Sequence, residues 1–179
     1  MDQPPIPLET VIGFLVATPL FDGLDEAERA EVVQIMEVEH FQPGEEVFHE
    51  GDTGDAWYVI FEGRAEVVKD TLAGAAKIAS LRPGSCFGEM AILDGLTRSA
   101  TVRADGPLTT FRFRRARFEE LLEEGSLGAF KLVAGMARTL SQRQRQITQH
   151  MAALMGTKAT PRSVRAQIGD LVDRFEISE

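Results

Sequence analysis

Glycine recurs at positions 44, 51, 54, 63, 74, 84, 88, 95 and 106, and this spacing constrains the fold more than any other feature of the chain. Between the glycines lie short runs of strand-forming residues: Glu46 to His49, Trp57 to Phe61, Ala65 to Val68, Lys77 to Leu81, Ala100 to Val102 and Thr109 to Phe113. Many short strands joined by tight turns point to an antiparallel sandwich or barrel. The expected class is therefore mainly β with flanking helices (α+β), an antiparallel β-roll of jelly-roll type over residues 39–114.

Helical spacing frames this region. Residues 8–17 place Leu8, Val11, Ile12, Phe14 and Leu15 on one face. After Pro19 a second helix is predicted, with Asp25 as N-cap and Glu28 completing a capping box. Val32, Val33, Ile35 and Met36 supply its buried face, so residues 1–38 form an N-terminal helical segment. From Arg115 the period turns helical again. Phe118, Leu121 and Leu122 mark a short hinge helix that stops near Gly125.

A long helix over 126–155 follows, and residues 115–155 are grouped as one unit. In it Val133, Met136, Leu140, Arg143, Ile147, His150 and Leu154 recur at alternating three- and four-residue steps. That is the seam of a coiled coil, and a homodimer through this helix is expected. Residues 156–179 are read as a tail. Thr160 and Pro161 start a helix there, with Val164, Ile168, Leu171, Val172 and Phe175 on its apolar face.

Charge and composition exclude several functions. With 19 basic and 28 acidic side chains the net charge is −9. Such a chain repels a phosphate backbone, so an anionic ligand needs a local cation. The lone cysteine, Cys86, rules out an intrachain disulfide, and His40, His49 and His150 lack metal-ligand spacing. The N-terminus lacks the basic start of a signal peptide, and no apolar stretch nears the roughly 20 residues of a membrane span. The expected location is the cytoplasm, without membrane association.

The chemistry lies in Phe87-Gly88-Glu89-Met90-Ala91-Ile92-Leu93, then Arg98-Ser99-Ala100-Thr101-Val102. Gly88 lets the backbone approach a ligand closely. The apolar run behind it suits one helical turn whose free N–H groups face an anion. Glu89 is a fixed acceptor for a hydroxyl, and Arg98 is a planar fork suited to two oxygens of one phosphate. Together they can hold a sugar hydroxyl and a phosphodiester.

This stretch resembles the phosphate-binding cassette of cyclic-nucleotide-binding domains. These occur in the catabolite activator family, in regulatory parts of cyclic-nucleotide-dependent kinases and in gated channels. The match rests on Phe87, Gly88, Glu89, Ala91, Arg98, Ser99 and Ala100, and the likeness extends over about residues 20–155. The resemblance implies that Glu89 accepts the ribose 2′-hydroxyl and that Arg98 neutralises the cyclic phosphate. Backbone N–H groups near Gly88, Met90, Ala91 and Ser99 would complete the cradle. Val67, Ile78 and Leu81 would line the base side, and Arg143 or Gln144 of the long helix would cap the purine. Ser99 after the arginine favours cyclic AMP, with cyclic GMP left open.

Gly84-Ser85-Cys86-Phe87-Gly88 also has the spacing of a hydrolase elbow with cysteine as nucleophile. The elbow needs a strand-to-helix turn in a parallel α/β sheet, so a small buried thiol is expected instead. About 24 residues follow Met155, too few for the helix-turn-helix domain of about 60–70 residues that the resemblance would add. Direct DNA recognition is not expected. The chain is read as a sensor rather than an enzyme, without cofactor, acting on a separate protein partner. The alternatives are a truncated catabolite activator-like transcription regulator, or a ligand-free roll that serves as a protein-interaction module.

Overall fold

A computed structural model describes residues 5–156. The tail helix expected after residue 156 lies outside the described residues. The chain opens with helix α1 (Leu8–Ala17), a 3-10 turn at Pro19–Phe21 and helix α2 (Glu26–Gln34). The capping box forms as expected: Glu28 N–H donates to Asp25 Oδ1 at 2.9 Å, and Asp25 N–H donates to Glu28 Oε2 at 2.7 Å.

Eight strands follow in two four-stranded antiparallel sheets. They are β1 (Met36–Phe41), β2 (Glu46–Phe48), β3 (Ala56–Glu62), β4 (Ala65–Thr71), β5 (Gly74–Leu81), β6 (Cys86–Phe87), β7 (Thr101–Ala104) and β8 (Leu108–Arg114). One sheet has the order β1-β8-β3-β6 and the other β2-β7-β4-β5. Helix α3 (Glu89–Asp94) interrupts the strands, and α4 (Arg115–Glu123) and α5 (Leu127–Gly156) close the described chain. The expected antiparallel roll and long helix are both present. Strands β1 and β6 are additional. The first starts at Met36, a residue whose spacing suits the buried face of α2.

Strand β3 explains how the layers fit together. Its alternation sends Trp57, Val59 and Phe61 toward the helices and Ala56, Tyr58 and Ile60 into the roll. Because both faces are covered, the strand reads as a continuous apolar run. On the helix side Trp57 stacks on Phe113 with centroids 4.0 Å apart and meets Phe118 of α4 edge-on at 5.7 Å. On the roll side Tyr58 stacks on Phe87 at 5.2 Å. Of the face predicted for α1, Val11 and Leu15 are buried and Phe14 packs against the core, whereas Leu8 and Ile12 are exposed.

The seam expected along α5 is divided. Met136 is buried in its own domain with Ala129 and Leu132, and Arg143 reaches the roll. The first half of the seam therefore packs within the chain. Ile147, Met151 and Met155 form the exposed stripe beyond it. No helix among the described residues is long and apolar enough to cross a membrane.

Candidate functional site

The cassette residues converge on one pocket at the mouth of the roll. Gly88 has φ 75 and caps the N-terminus of α3 in the left-handed region that favours glycine. A Cβ there would lie 2.8 Å from Arg98 Nη1, so the missing side chain makes room for the arginine. Gly88 Oin turn accepts from Arg98 Nη1 at 3.0 Å.

Arg98 is 3% exposed, its guanidinium carbon 4.1 Å from the centre of the Phe48 ring. Its ion-pair partner, Asp55, lies 3.3 Å from Nη2 and has a largely exposed side chain. Arg98 Nε is buried without a partner. Burial holds the guanidinium pKa below its ordinary value, with the Tyr58 and Asp55 charges opposing that shift. A desolvated cation with an exposed counter-charge and an orphaned donor is poised for an anion.

Glu89 is 2% exposed at the first position of α3. Burial raises its pKa, and Arg143 is the main opposing influence. Arg143 Nη1 donates to Glu89 Oε1 at 2.7 Å, and Nη2 donates to the Cys86 carbonyl at 2.5 Å. Arg143, expected over the purine, is thus bound to the Glu89 carboxylate.

The pocket encloses about 120 Å³. Small-molecule sites usually span roughly 300–1,000 Å³. Of the residues singled out in the sequence, Gly88, Glu89, Met90, Ala91, Arg98, Ser99, Ala100, Val67, Leu81 and Arg143 line the pocket. Ile78 and Gln144 do not line it. A register shift between Val67 and Val68 pairs them with Ala79 and Lys77, which leaves Ile78 as an unpaired bulge residue, 45% exposed. Gln144 is exposed on α5, one residue past Arg143, where helical geometry turns it away.

Sequence reasoning missed Phe48, Phe87 and Val102 on the wall. It also missed three anchors behind it. Asp55 bridges Arg98 and Arg112, the latter at 2.6 Å. Lys69 Nζ donates to the Ser99 carbonyl at 2.8 Å and to Glu50 Oε1 at 2.5 Å, fixing the end of the cassette. Arg115 donates from α4 to the Ala91 carbonyl at 2.6 Å. Phe87 sits beside Gly88 in the motif and was the most legible of these. The others required the fold.

The elbow spacing has another basis. Cys86 pairs with Val59 in an antiparallel ladder, its thiol is buried and its pKa is pushed well up by desolvation. Among the described residues no cluster of three or more His, Cys, Asp or Glu side chains could hold a metal ion.

Residues 38–125 match the family model described as "Cyclic nucleotide-binding domain". A cAMP-dependent protein kinase regulatory subunit from Mycosarcoma maydis is 37% identical over 107 residues, covering 60% of this chain and 20% of that protein. The chain spans 20–29% of the length of the curated relatives it matches. Among solved structures, the Thermus thermophilus catabolite activator protein aligns with TM-score 0.67 and 27% identity, covering 77% of this chain and 63% of that one. A cyclic nucleotide-binding domain from Methylobacillus flagellatus aligns with TM-score 0.72 and 25% identity, covering 86% and 85%. The roll, the buried Glu89–Arg98 pocket and these matches agree: the chain carries a member of the cyclic nucleotide-binding domain family over residues 38–125.

Proposed function

We propose that this protein is a sensor of cyclic AMP that signals through its long helix to a separate protein partner. One observation carries the reading: a buried carboxylate at the start of a glycine-capped helical turn and a buried guanidinium beyond its end line the same pocket. Arg98 and Arg143 against Glu89 give these three side chains a charge of +1, which suits the monoanion of a cyclic phosphodiester. Arg98 would take the phosphate oxygens, releasing its weak hold on Asp55. Glu89 would accept the ribose 2′-hydroxyl. Val67, Leu81 and Val102 offer the purine an apolar wall, with the Ser99 hydroxyl beside them. Serine rather than threonine after the arginine, with a kinase regulatory subunit named for cyclic AMP among the relatives, supports cyclic AMP over cyclic GMP.

The signal would arise at Glu89. Arg143 already holds its carboxylate, so a ribose hydroxyl must share or displace that grip. Arg143 also forms part of the pocket wall, so a ligand seated there would bear on α5. Ligand therefore favours a population in which α5 has shifted, by no more than its preference for that state, typically about 1–3 kcal/mol. The exposed stripe of Ile147, Met151 and Met155 supports a second copy as the neighbour of α5. No step in this scheme breaks a covalent bond, so the role is regulatory and cyclic AMP should be recovered intact after incubation.

Titration calorimetry with cyclic AMP and cyclic GMP side by side tests the proposal. Arg98→Ala should weaken cyclic AMP binding by about 2–5 kcal/mol, because the anion loses its charged partner. Unchanged affinity in that variant, or no binding of either nucleotide by the parent protein, would sink the reading.

A further inference from the structure

Two of the anchors behind the cassette, Asp55 and Arg115, meet at the first turn of α4. Gly54 lies against the cassette helix so closely that a Cβ there would fall 2.4 Å from Ala91 Cβ. The next residue, Asp55, makes three connections. Its carboxylate reaches Arg98 at 3.3 Å and Arg112 at 2.6 Å, and its carbonyl accepts the Arg115 backbone N–H at 2.7 Å. From the opening position of α4, Arg115 Nη2 donates to the Ala91 carbonyl at 2.6 Å and faces that of Ile92 at 3.5 Å. The same guanidinium pairs with Glu119 one turn along, at 3.3 Å. Arg115 thus ties the middle of the cassette helix to the helix that leads into α5.

We infer that Arg115 is the positioning residue that passes the state of the cassette to α4, with Asp55 as its second input from Arg98. The inference rests on the proposed ligand reading and deepens it. If Arg98 turns from Asp55 to a phosphate, Asp55 keeps Arg112 and its backbone tie to Arg115. If α3 moves with the ligand, the carbonyls held by Arg115 move too, and a rigid fork transmits a displacement that a loose surface contact would absorb. Phe118, three residues on, packs edge-on against the buried Trp57, so a shift of α4 is felt in the core.

Linkage separates this role from simple bracing. A ligand that must move α4 binds more weakly than one that need not, so uncoupling should hold or raise affinity, by up to about fivefold. Bracing predicts the reverse, because a looser cassette binds worse. The experiment pairs calorimetry with hydrogen–deuterium exchange over residues 115–123 on the full chain, with cyclic AMP as probe. The parent should show a ligand-dependent change in exchange there. Arg115→Ala should keep its affinity or bind more tightly while losing most of that change, and Arg115→Lys, which still reaches one carbonyl, should restore part of it. A fall in affinity beyond about threefold, or an undiminished exchange response in Arg115→Ala, overturns the inference.

A ligand-free arm keeps this test separate from the functional reading. Gly54→Ala pushes on Ala91 directly, and should alter exchange in α4 in the parent background but not with Arg115→Ala also present. Equal effects in both backgrounds overturn the coupling role even if the parent binds no cyclic nucleotide, the outcome that defeats the functional reading itself.

Discussion

The two halves of α5 are attached to the molecule by different physics. From Leu127 to Met136 the helix is packed: Ala129, Leu132 and Met136 are fully buried, and Gly135 sits against the Leu20 carbonyl. Lys131 adds an ion pair to Glu28 at 2.7 Å. Further along, Arg143 grips Glu89 and the Cys86 carbonyl, while Ile147, Met151 and Met155 stand exposed. Packing cannot be moved without losing contacts on every side, whereas an ion pair can exchange one partner for another. The first half is thus an anchor, and in the proposed function the second is the part that a ligand would release.

The strongest challenge to that contrast is to damage the anchor. Met136→Ala should lower global stability by about 2–5 kcal/mol, the usual range for emptying a buried side chain of this size. Chemical denaturation should show a lower midpoint with an unchanged slope. A loss under about 1 kcal/mol would mean that the first half is not packed as described.

Arg143→Ala attacks the other half, and its effect should depend on pH. Glu89 has its folded pKa raised by burial, so its contribution to stability is present below the ordinary carboxylate value and is lost as pH rises. Removing Arg143 takes away the main influence that opposes this rise. The deficit relative to the parent should therefore be small near pH 5 and grow to about 1–3 kcal/mol by pH 8, the range for a buried polar group left unpaired. Adding Glu89→Gln should flatten the profile. An equal deficit at both pH values would show that Arg143 acts by packing instead.

Gly135→Ala is subtler, because two effects oppose. Alanine favours the helix by up to about 1 kcal/mol. Its Cβ would meet the Leu20 carbonyl at 2.9 Å and Leu20 Cδ1 at 3.1 Å, and crowding of that kind costs about 1–3 kcal/mol. Crowding should win by about 1 kcal/mol. A stabilised variant would show that the turn at Pro19–Phe21 yields, and that the anchor is softer than its burial suggests.

The roll was legible because turn glycines and strand-forming residues act locally, and so was the cassette, whose glycine, carboxylate and arginine lie within a dozen residues. Anchors that join distant segments left no local trace. Asp55, Lys69 and Arg115 reach the cassette from 43, 30 and 24 residues away, and each reads in sequence as an ordinary surface charge. Ile78 was misplaced for a related reason. A bulge shifts the two-residue period by one, and no propensity announces it. The seam on α5 misled because helical spacing marks an apolar face without saying whose surface will cover it; Met136 was claimed by its own domain.

The smallest expected effect on folding falls at Met151, and there the proposal of a second copy is decided. Its side chain is 57% exposed, so Met151→Ala should change the stability of an isolated chain by less than about 0.5 kcal/mol. If a second copy covers the stripe, Met151→Ala combined with Ile147→Ala should weaken self-association, because each partner then loses apolar area at about 25 cal/mol per Å². Analytical ultracentrifugation across a concentration series reads that difference directly. A parent chain that stays monomeric at every concentration removes the second copy as the occupant of this face. Since Arg143 lies one helical turn before Ile147, a dimer that tightens or loosens with cyclic AMP would place the output of the pocket on this exposed half of α5.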